Sequence, residues 1–254
     1  MSINPTITIY ITNCNYGKYL TAAIESAINQ TYKKIDIIII DDASKDISKK
    51  ILKKYVKNSH IKIIYNKKRK GLIKSSNIAI RAAKGQFILR LDADDYLHPD
   101  AIKKMYLEIM KYENVALIFP DFYWVNNKSK ILSRFKYKHK TSYTAQDSPA
   151  HGACSLINKK YLKKIGCYNE KFDRQDGYYI WFLILFNKFK IIHYKKPLFY
   201  YRKHKKNLSK KIKKILTVRM NILKYFINKN VKFKSILRFH KRNTINRLNS
   251  LTKN

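Results

Sequence analysis

The first half of the chain alternates uninterrupted apolar runs with segments of helical periodicity. The apolar runs are rich in β-branched residues, which is typical of strands buried on both faces of a sheet. They cover residues 6–12, 35–40, 61–65 and 87–91. The segments that follow them carry apolar residues at spacings of three and four. These predicted helices cover residues 19–30, 47–56, 73–83 and 99–112. The alternation predicts an α/β fold with a mostly parallel sheet flanked by helices.

The second half of the chain is less regular. Short apolar segments predict strands at 115–120, 122–125, 190–193 and 198–201, and helices are predicted at 159–165 and 177–187. The polar and basic stretch 126–146 is predicted to be rich in loops. After His204, lysine and arginine mix with apolar residues at helical spacing. We therefore predict a domain over residues 1–209 and a basic amphipathic helical extension over residues 210–254.

The chain is strongly basic. Its 254 residues include 55 Lys and Arg but only 16 Asp and Glu, which gives a net charge of +39, and no acid follows Asp176. Such an excess suits nucleic acid, an anionic membrane or a phosphate-bearing substrate. The alternative explanation of the basic excess is an A/T-rich coding bias, since Lys, Ile, Asn and Tyr are abundant while Gly (6) and Pro (5) are scarce.

The cysteines and the lengths of the apolar segments predict a cytoplasmic protein. The three cysteines form no CxxC pair, so free thiols in a reducing compartment are expected. No signal peptide is visible, and no apolar run approaches the roughly 18 residues that span a bilayer. The basic extension predicts peripheral binding to anionic lipid on the inner face of the plasma membrane. A packed terminal helix is the alternative.

Two acidic clusters directly follow predicted strands. Asp41 and Asp42 end one strand, while Asp92, Asp94 and Asp95 end another. Ligands of open α/β sheets bind outside the carboxyl ends of the strands. Carboxylates spaced in this way repel each other unless a cation compensates, and Mg²⁺ is commonly held by one or two carboxylates together with phosphates. The spacing predicts a metal-diphosphate site, with a solvated turn as the alternative.

A third acidic segment precedes the predicted helix 177–187. Asp173 and Asp176 stand at its start, where capping of the helix is the simplest explanation. The chain lacks GxGxxG, GxxxxGK[ST] and GxSxG, so dinucleotide-binding, P-loop and hydrolase sites are not indicated.

Seven elements in a fixed order carry a family resemblance. They are TIYITNCN at 8–15, SAINQTY at 26–32, IIIIDDAS at 37–44, Asn66 with Gly71 and Asn77, LDADD at 91–95, GCYNEKF at 166–172 with Gln175 and Asp176, and YRKH at 201–204. Together they resemble the inverting GT-A glycosyltransferases of family 2, which build bacterial polysaccharide and lipopolysaccharide. The likeness spans about residues 3–209, and it implies a Rossmann-like nucleotide-sugar transferase fold.

The resemblance also implies a role for each matching position. Thr12, Cys14, Asp42 and Asp92 would line the nucleotide pocket, with Asp42 accepting from a uracil-type N–H. Asp94 and His204 would hold Mg²⁺ or Mn²⁺, and Asp176 would be the general base. The donor and acceptor pocket would include Gly71, Asn77, His151, Gly152 and Arg202. Four positions depart from the family. Cys14 stands where an aromatic residue is common, and Ser76 where an arginine often precedes Asn77. Gln175 stands where an acid often precedes the base, and Tyr179 where an acid often follows it.

The predicted reaction is metal-assisted transfer of a sugar, with inversion, from a nucleotide donor such as a UDP-sugar. The acceptor would be a hydroxyl of a glycan or lipid-linked acceptor. A nucleic-acid-binding protein is one alternative, although no reader motif accompanies the charge and no nucleic-acid partner is expected. An inactive interaction module with the same fold is the other, and retention of Asp42, Asp94 and Asp176 argues against it.

Overall fold

A computed structural model describes residues 4–137, 152–205, 207–229 and 233–251, with Asp176 described by its backbone alone. The first half alternates strands and helices as predicted. Its strands are β1 (Ile7–Asn13), β2 (Ile35–Asp41), β3 (Ile61–Tyr65), β4 (Phe87–Asp92) and β5 (Tyr96–Leu97). Its helices are α1 (Gly17–Ile28), α2 (Ser48–Leu52, extended by a 3₁₀ turn over Lys53–Tyr55), α3 (Leu72–Ala82) and α4 (Ala101–Ile109).

The second half adds the remaining strands and the C-terminal helices. The strands are β6 (Val115–Val125), β7 (Ile131–Phe135), β8 (Leu156–Asn158) and β9 (Lys190–Arg202). The helices are α5 (Lys159–Ile165), α6 (Asp176–Phe186), α7 (Ile212–Lys229) and α8 (Lys234–Ser250), with a 3₁₀ turn over Leu208–Lys210.

The strands of the described residues form one sheet in the order β3-β2-β1-β4-β8-β6-β9-β5. Strand β7 pairs with the C-terminal part of β6, beyond the residues that pair with β8. The four strands β3, β2, β1 and β4 pair in parallel, as the alternation with helices predicts. Beyond β4 the sheet is mixed: β8 pairs antiparallel with β4 and β6, and β6 pairs in parallel with β9. The α/β fold is confirmed, and β1 to β4 form its continuous parallel part.

Each face of the sheet carries its own hydrophobic core. Successive side chains of a strand point to opposite faces, so Ile9 of β1 joins one core while the neighbouring Tyr10 joins the other. Helices α1 and α4 cover the first face. Helices α3, α6 and α7 cover the second, where Trp181 is fully buried.

Strands β6 and β9 are each one long strand where the sequence predicted two short ones. Their pairing is irregular around Pro120 and Pro197, because proline lacks the N–H that a ladder requires. The register shifts at these residues, but both strands continue through them. The predicted loop region 126–146 contains β7, an edge strand whose five residues are all exposed. The sequence of β7 does not predict a strand, so its pairing with β6 is what stabilises it.

The basic extension is helical, as predicted, and it packs against the domain. Helices α7 and α8 contact each other and bury six apolar side chains, all but Leu216 in the second core. These are Leu216, Val218, Ile222, Leu223, Phe226 and Leu237. The boundary at residue 209 remains a prediction, but the packing observed is that of the terminal-helix alternative. No helix in the described part of the chain is long and apolar enough to cross a bilayer.

Candidate active site

The carboxyl ends of β1, β2 and β4 bring the predicted nucleotide residues to one edge of the sheet. In the parallel register Thr12 lies opposite Asp92, and Asn13 lies opposite Asp41. The side-chain amide of Asn13 donates to Asp41 Oδ1 at 2.8 Å, which fixes the turn that follows β2. Cys14 is partly buried just beyond β1, and burial raises the pKa of its thiol, so the thiol stays protonated at neutral pH.

Asp42 holds the loop that leads into α3. Its carboxylate accepts hydrogen bonds from the Asn66 side chain at 2.8 Å, from the Lys70 backbone at 2.7 Å and from the Gly71 backbone at 2.8 Å. Gly71 has φ +86°, a left-handed conformation that glycine adopts without strain. A carboxylate offers about four lone-pair sites, so about one remains for a nucleotide. Asp42 therefore shapes the predicted pocket whether or not it also touches the base.

Each acid of the second cluster has a distinct partner. Asp92 pairs with the buried Arg90, with 2.9 Å between the carboxylate and Nε. Asp94 accepts from His204 Nε2 at 2.8 Å, so the predicted metal residues are in direct contact. Asp95 is buried and accepts from the backbone N–H of Arg202 at 2.9 Å. The pairing of β5 with β9 produces this arrangement, because it places the end of β9 beside the turn that follows β4.

The cluster concentrates negative charge in a partly buried position. Burial first, and then the neighbouring Asp94 and Asp92 carboxylates, raise the pKa of Asp95 well above its ordinary value. Burial and the same two carboxylates raise the pKa of Tyr16, so its hydroxyl stays protonated. Concentrated negative charge of this kind favours a bound cation.

Arg202 serves the structure of the site through contacts that the sequence did not reveal. Its side chain is only 2% exposed, and its guanidinium donates to the Asp94 carbonyl, the Asn126 carbonyl and Ser129 Oγ. The guanidinium carbon also lies 4.8 Å from the centre of the Tyr19 ring. These contacts hold the turn that carries Asp94, and they turn the guanidinium inward. Contact of Arg202 with a diphosphate stays a prediction.

Two other residues that were predicted for the donor and acceptor pocket, Asn77 and Gly152, lie in the described part of the chain. Asn77 on α3 exchanges hydrogen bonds with the Tyr168 backbone and donates to Glu170, so it joins α3 to the segment that leads to Asp176. Gly152 lies two residues before Cys154, whose N–H donates to the Arg90 carbonyl in β4. His151 lies outside the described residues.

Asp176 is the first residue of α6, and the residue before it has an unusual backbone. Gln175 has φ 63° and ψ 33°, in the left-handed region that few residues other than glycine occupy. Two residues of α7 reach this segment. Lys214 Nζ lies 2.7 Å from Asp173, and Arg219 Nε donates to Gln175 Oε1 at 2.6 Å.

The family implies a divalent cation, and the residues present fit one. Asp94 supplies carboxylate oxygen and His204 an imidazole nitrogen, 2.8 Å apart. Within the described ranges no three His, Cys, Asp or Glu side chains form a complete metal cage. Mg²⁺ and similar ions are commonly held by one or two protein groups together with substrate phosphates and waters. The donor set therefore suits a cation that is shared with a nucleotide diphosphate.

Sequence reasoning missed several residues that build the site. Asn207 donates to Asp94 Oδ2 at 3.4 Å and to the Arg202 carbonyl at 2.8 Å. The rings of Tyr16 and Tyr19 lie 5.6 and 5.0 Å from the His204 ring. Tyr19 follows the TIYITNCN element in the stretch that resembles the family, whereas for Tyr16 and Asn207 the signal was proximity along the chain to predicted site residues.

Comparison with known proteins identifies the family. Residues 8–166, well over half of the chain, match the family described as glycosyl transferase family 2. The chain belongs to glycosyl transferase family 2. This transferase is 33% identical over 221 residues to the Escherichia coli "UDP-Glc:alpha-D-GlcNAc-diphosphoundecaprenol beta-1,3-glucosyltransferase WfaP", covering 86% of the chain and 85% of the relative. It is also 33% identical over 129 residues to E. coli chondroitin synthase, of which it covers only 19%.

Solved structures share the fold of the transferase. S. aureus TarS 1-349 in complex with UDP superposes with a TM-score of 0.74 at 18% identity, over 95% of this chain and 71% of that one. The mannosyltransferase PcManGT from Pyrobaculum calidifontis, in complex with GDP-Man and Mn²⁺, gives 0.73 at 14% identity, over 94% and 70%. At this identity the likeness establishes the fold alone.

Proposed function

We propose that this protein transfers a sugar, with inversion, from a UDP-sugar to a hydroxyl of a lipid-linked glycan during synthesis of a cell-surface polysaccharide. The observation that carries the proposal is the contact between Asp94 and His204 beside the strand ends that hold Thr12, Asp42 and Asp92. WfaP, which most of the chain matches, is named for a UDP-Glc donor and a diphosphoundecaprenol-linked acceptor. That relative supports the choice of donor and acceptor class.

In this proposal Asp176 accepts the proton of the attacking hydroxyl. A positioned carboxylate is typically worth about 10²–10⁴ in rate when it acts as a general base. Asp176 begins α6, and the N-terminus of a helix is the end that favours negative charge. Attack on the anomeric carbon from the face opposite the diphosphate inverts its configuration, and a covalent intermediate would need a second carboxylate beside the sugar.

The leaving diphosphate is the other charge that the site must stabilise. Asp94 and His204 would hold the divalent cation, which when bound supplies Lewis-acid stabilisation of that diphosphate. Arg202 and Asn207 keep the Asp94 turn in place through the contacts described above. Asp42 keeps the 66–71 loop in a fixed shape, so that the nucleotide pocket is formed before the donor binds.

A lipid-linked acceptor requires the enzyme to work at a membrane, which we place at the cytoplasmic face. Support comes from the outward surface of α7 and α8, which within the described residues carries basic and no acidic side chains. On α8 the exposed Phe239 and Ile245 lie near Arg238 and Arg242. Basic helices with exposed apolar residues bind anionic interfaces, and each Lys or Arg near the surface contributes about 1 kcal/mol.

Transfer measured with defined substrates tests the function. Purified enzyme is given UDP-, GDP- or dTDP-sugars with Mn²⁺ and a short-chain N-acetylglucosaminyl diphospholipid, and the product is followed by NMR. We expect product from a UDP-sugar only, with inverted configuration, and turnover about 10² lower in Asp176→Asn. Retained configuration would contradict the mechanism. Salt-sensitive DNA binding without any turnover would favour a nucleic-acid function.

Vesicle binding tests the membrane proposal. The wild-type protein should co-sediment with phosphatidylglycerol vesicles at low salt, should be released by about 0.5 M salt through charge screening, and should ignore phosphatidylcholine vesicles. Phe239→Ala should weaken the binding because its ring is 53% exposed and free to enter the interface. Equal binding to both kinds of vesicle, or none to either, would refute the proposal.

A further inference from the structure

Helix α7 reaches the segment that carries Asp176 through one well-formed hydrogen bond. Arg219 Nε donates to Gln175 Oε1 at 2.6 Å, and the guanidinium carbon lies 5.0 Å from the centre of the Tyr178 ring in the first turn of α6. The partner residues are 44 positions apart along the chain. The guanidinium therefore contacts the residue before Asp176 and also a residue after it.

The backbone of Gln175 explains why such a contact matters. A non-glycine residue in the left-handed region carries an energetic cost and persists only where its surroundings enforce it. Within Gln175 the carbonyl accepts from the Tyr179 backbone at 3.0 Å, and the side chain accepts from Arg219. Release of the side chain would let Gln175 relax toward an ordinary conformation. The direction in which the chain enters α6, and with it the position of Asp176, would then change.

The neighbouring ion pair is a weaker tether. Lys214 and Asp173 approach to 2.7 Å, but their side chains are 53% and 49% exposed. Exposed ion pairs contribute little, because water and salt screen them. Arg219 is less exposed than Lys214, and its guanidinium also lies over the Tyr178 ring, so two contacts fix its position.

We propose that Arg219 of the C-terminal extension is a positioning residue for catalysis: through Gln175 it sets the placement of Asp176. The proposal rests on the proposed function of Asp176 as the general base. It gives the extension a role in turnover that is separate from membrane binding. A misplacement of about 1 Å at a reacting group can cost up to about 10²-fold in rate, so loss of the hydrogen bond should cost about tenfold or more.

The test compares steady-state kinetics of UDP release in matched variants. Arg219→Met keeps the apolar stem and removes the donor, Arg219→Lys keeps one donor, and Lys224→Met alters an exposed cation of the same helix. We expect Arg219→Met to lower kcat about tenfold with donor KM and thermal midpoint unchanged. Arg219→Lys should recover part of that loss, and Lys224→Met should match the wild type.

A double variant separates positioning from general structural damage. If Arg219 acts through Asp176, adding Arg219→Met to Asp176→Asn should lower kcat by less than twofold further. A further tenfold loss there, or wild-type kcat in Arg219→Met alone, would overturn the proposal. Wild-type kcat in Asp176→Asn would refute Asp176 as the base, and this proposal with it.

A variant on the other side of the hydrogen bond covers the case in which Arg219→Met fails to fold. Gln175→Met removes the acceptor and should lower kcat as Arg219→Met does, whereas Gln175→Glu retains an acceptor and should keep kcat near the wild-type value. Equal kcat in the two Gln175 variants would overturn the proposal.

Discussion

Replacement of Phe226 by alanine should strongly destabilise the protein, because this residue of α7 belongs to the core of the domain. Its side chain is 3% exposed. Its ring centre lies 5.2 Å from that of Tyr179 and 5.5 Å from that of Phe186, both on α6. The substitution therefore removes a buried aromatic residue through which α7 packs against the helix of the proposed base.

The size of the effect follows from the burial and the ring contacts. Truncation of a buried Phe to Ala typically costs about 3–5 kcal/mol in total, and the lost aromatic pairs, each worth about 0.5–1.5 kcal/mol, place Phe226 above the low end of that range. We expect a loss of about 4 kcal/mol in the free energy of unfolding. For a chain of this length each kcal/mol shifts the thermal midpoint by about 2–4 °C, so the midpoint should fall by about 8–16 °C.

Urea denaturation followed by circular dichroism measures the difference. Phe239→Ala is the matched control, because this Phe on α8 is 53% exposed and its loss should cost less than about 0.5 kcal/mol. A Phe226→Ala variant within about 1 kcal/mol of the wild type would show that the packing of α7 on α6 contributes little to stability. The extension would then be an appendage that the domain does not need for stability.

Three further outcomes follow from the packing and the site. A chain ending after Ser209 should be insoluble or unfolded on expression, because it loses six buried apolar side chains whose burial stabilises the fold by about 1.5–3 kcal/mol each. A soluble truncated protein with a cooperative unfolding transition would contradict this. Gly85→Ala should lower the free energy of unfolding in urea by about 2–3 kcal/mol, since a Cβ there would lie 2.5 Å from the Thr8 backbone nitrogen. In Gly166→Ala the new Cβ meets nothing within 4 Å, so the loss should be about 1 kcal/mol, which comes from the positive φ. Asp42→Asn should weaken UDP binding about tenfold in calorimetry, because an amide nitrogen would face the N–H groups of the 66–71 loop. The control Asp36→Asn, at the other end of β2, should bind UDP as the wild type does. Equal UDP affinity in the two variants would refute the role of Asp42.

The parallel half of the fold and its acidic edge could be predicted because local pattern and function coincide there. The apolar runs of β1, β2 and β4 are largely buried on both faces, and acids or amides follow where these strands end. Parallel pairing then brings those ends together without further information, as the alignment of Thr12 with Asp92 illustrates.

The remaining features depend on contacts between distant segments. Strand β7 is exposed at all five positions, and its order comes from pairing with β6 and from stacking of Phe135 on Phe122 at 4.7 Å. Arg202 looked like a phosphate ligand in a basic motif, yet the end of β9 lies beneath the Asp94 turn, where carbonyl groups surround its guanidinium. The helical spacing of apolar residues in the extension predicted amphipathic helices. That spacing does not determine whether lipid or α6 covers the apolar face.

The most direct test of the account is whether a divalent cation at Asp94 couples to nucleotide binding. Isothermal titration calorimetry with UDP, in Mn²⁺ and in EDTA, is carried out on the wild type, on Asp94→Asn and on Asp36→Asn as a control. We predict that Mn²⁺ tightens UDP binding at least tenfold, about 1.4 kcal/mol, in the wild type and the control, and that Asp94→Asn loses the gain while unfolding cooperatively. An unchanged Mn²⁺-dependent gain in Asp94→Asn would contradict the assignment of Asp94 and the site built around it.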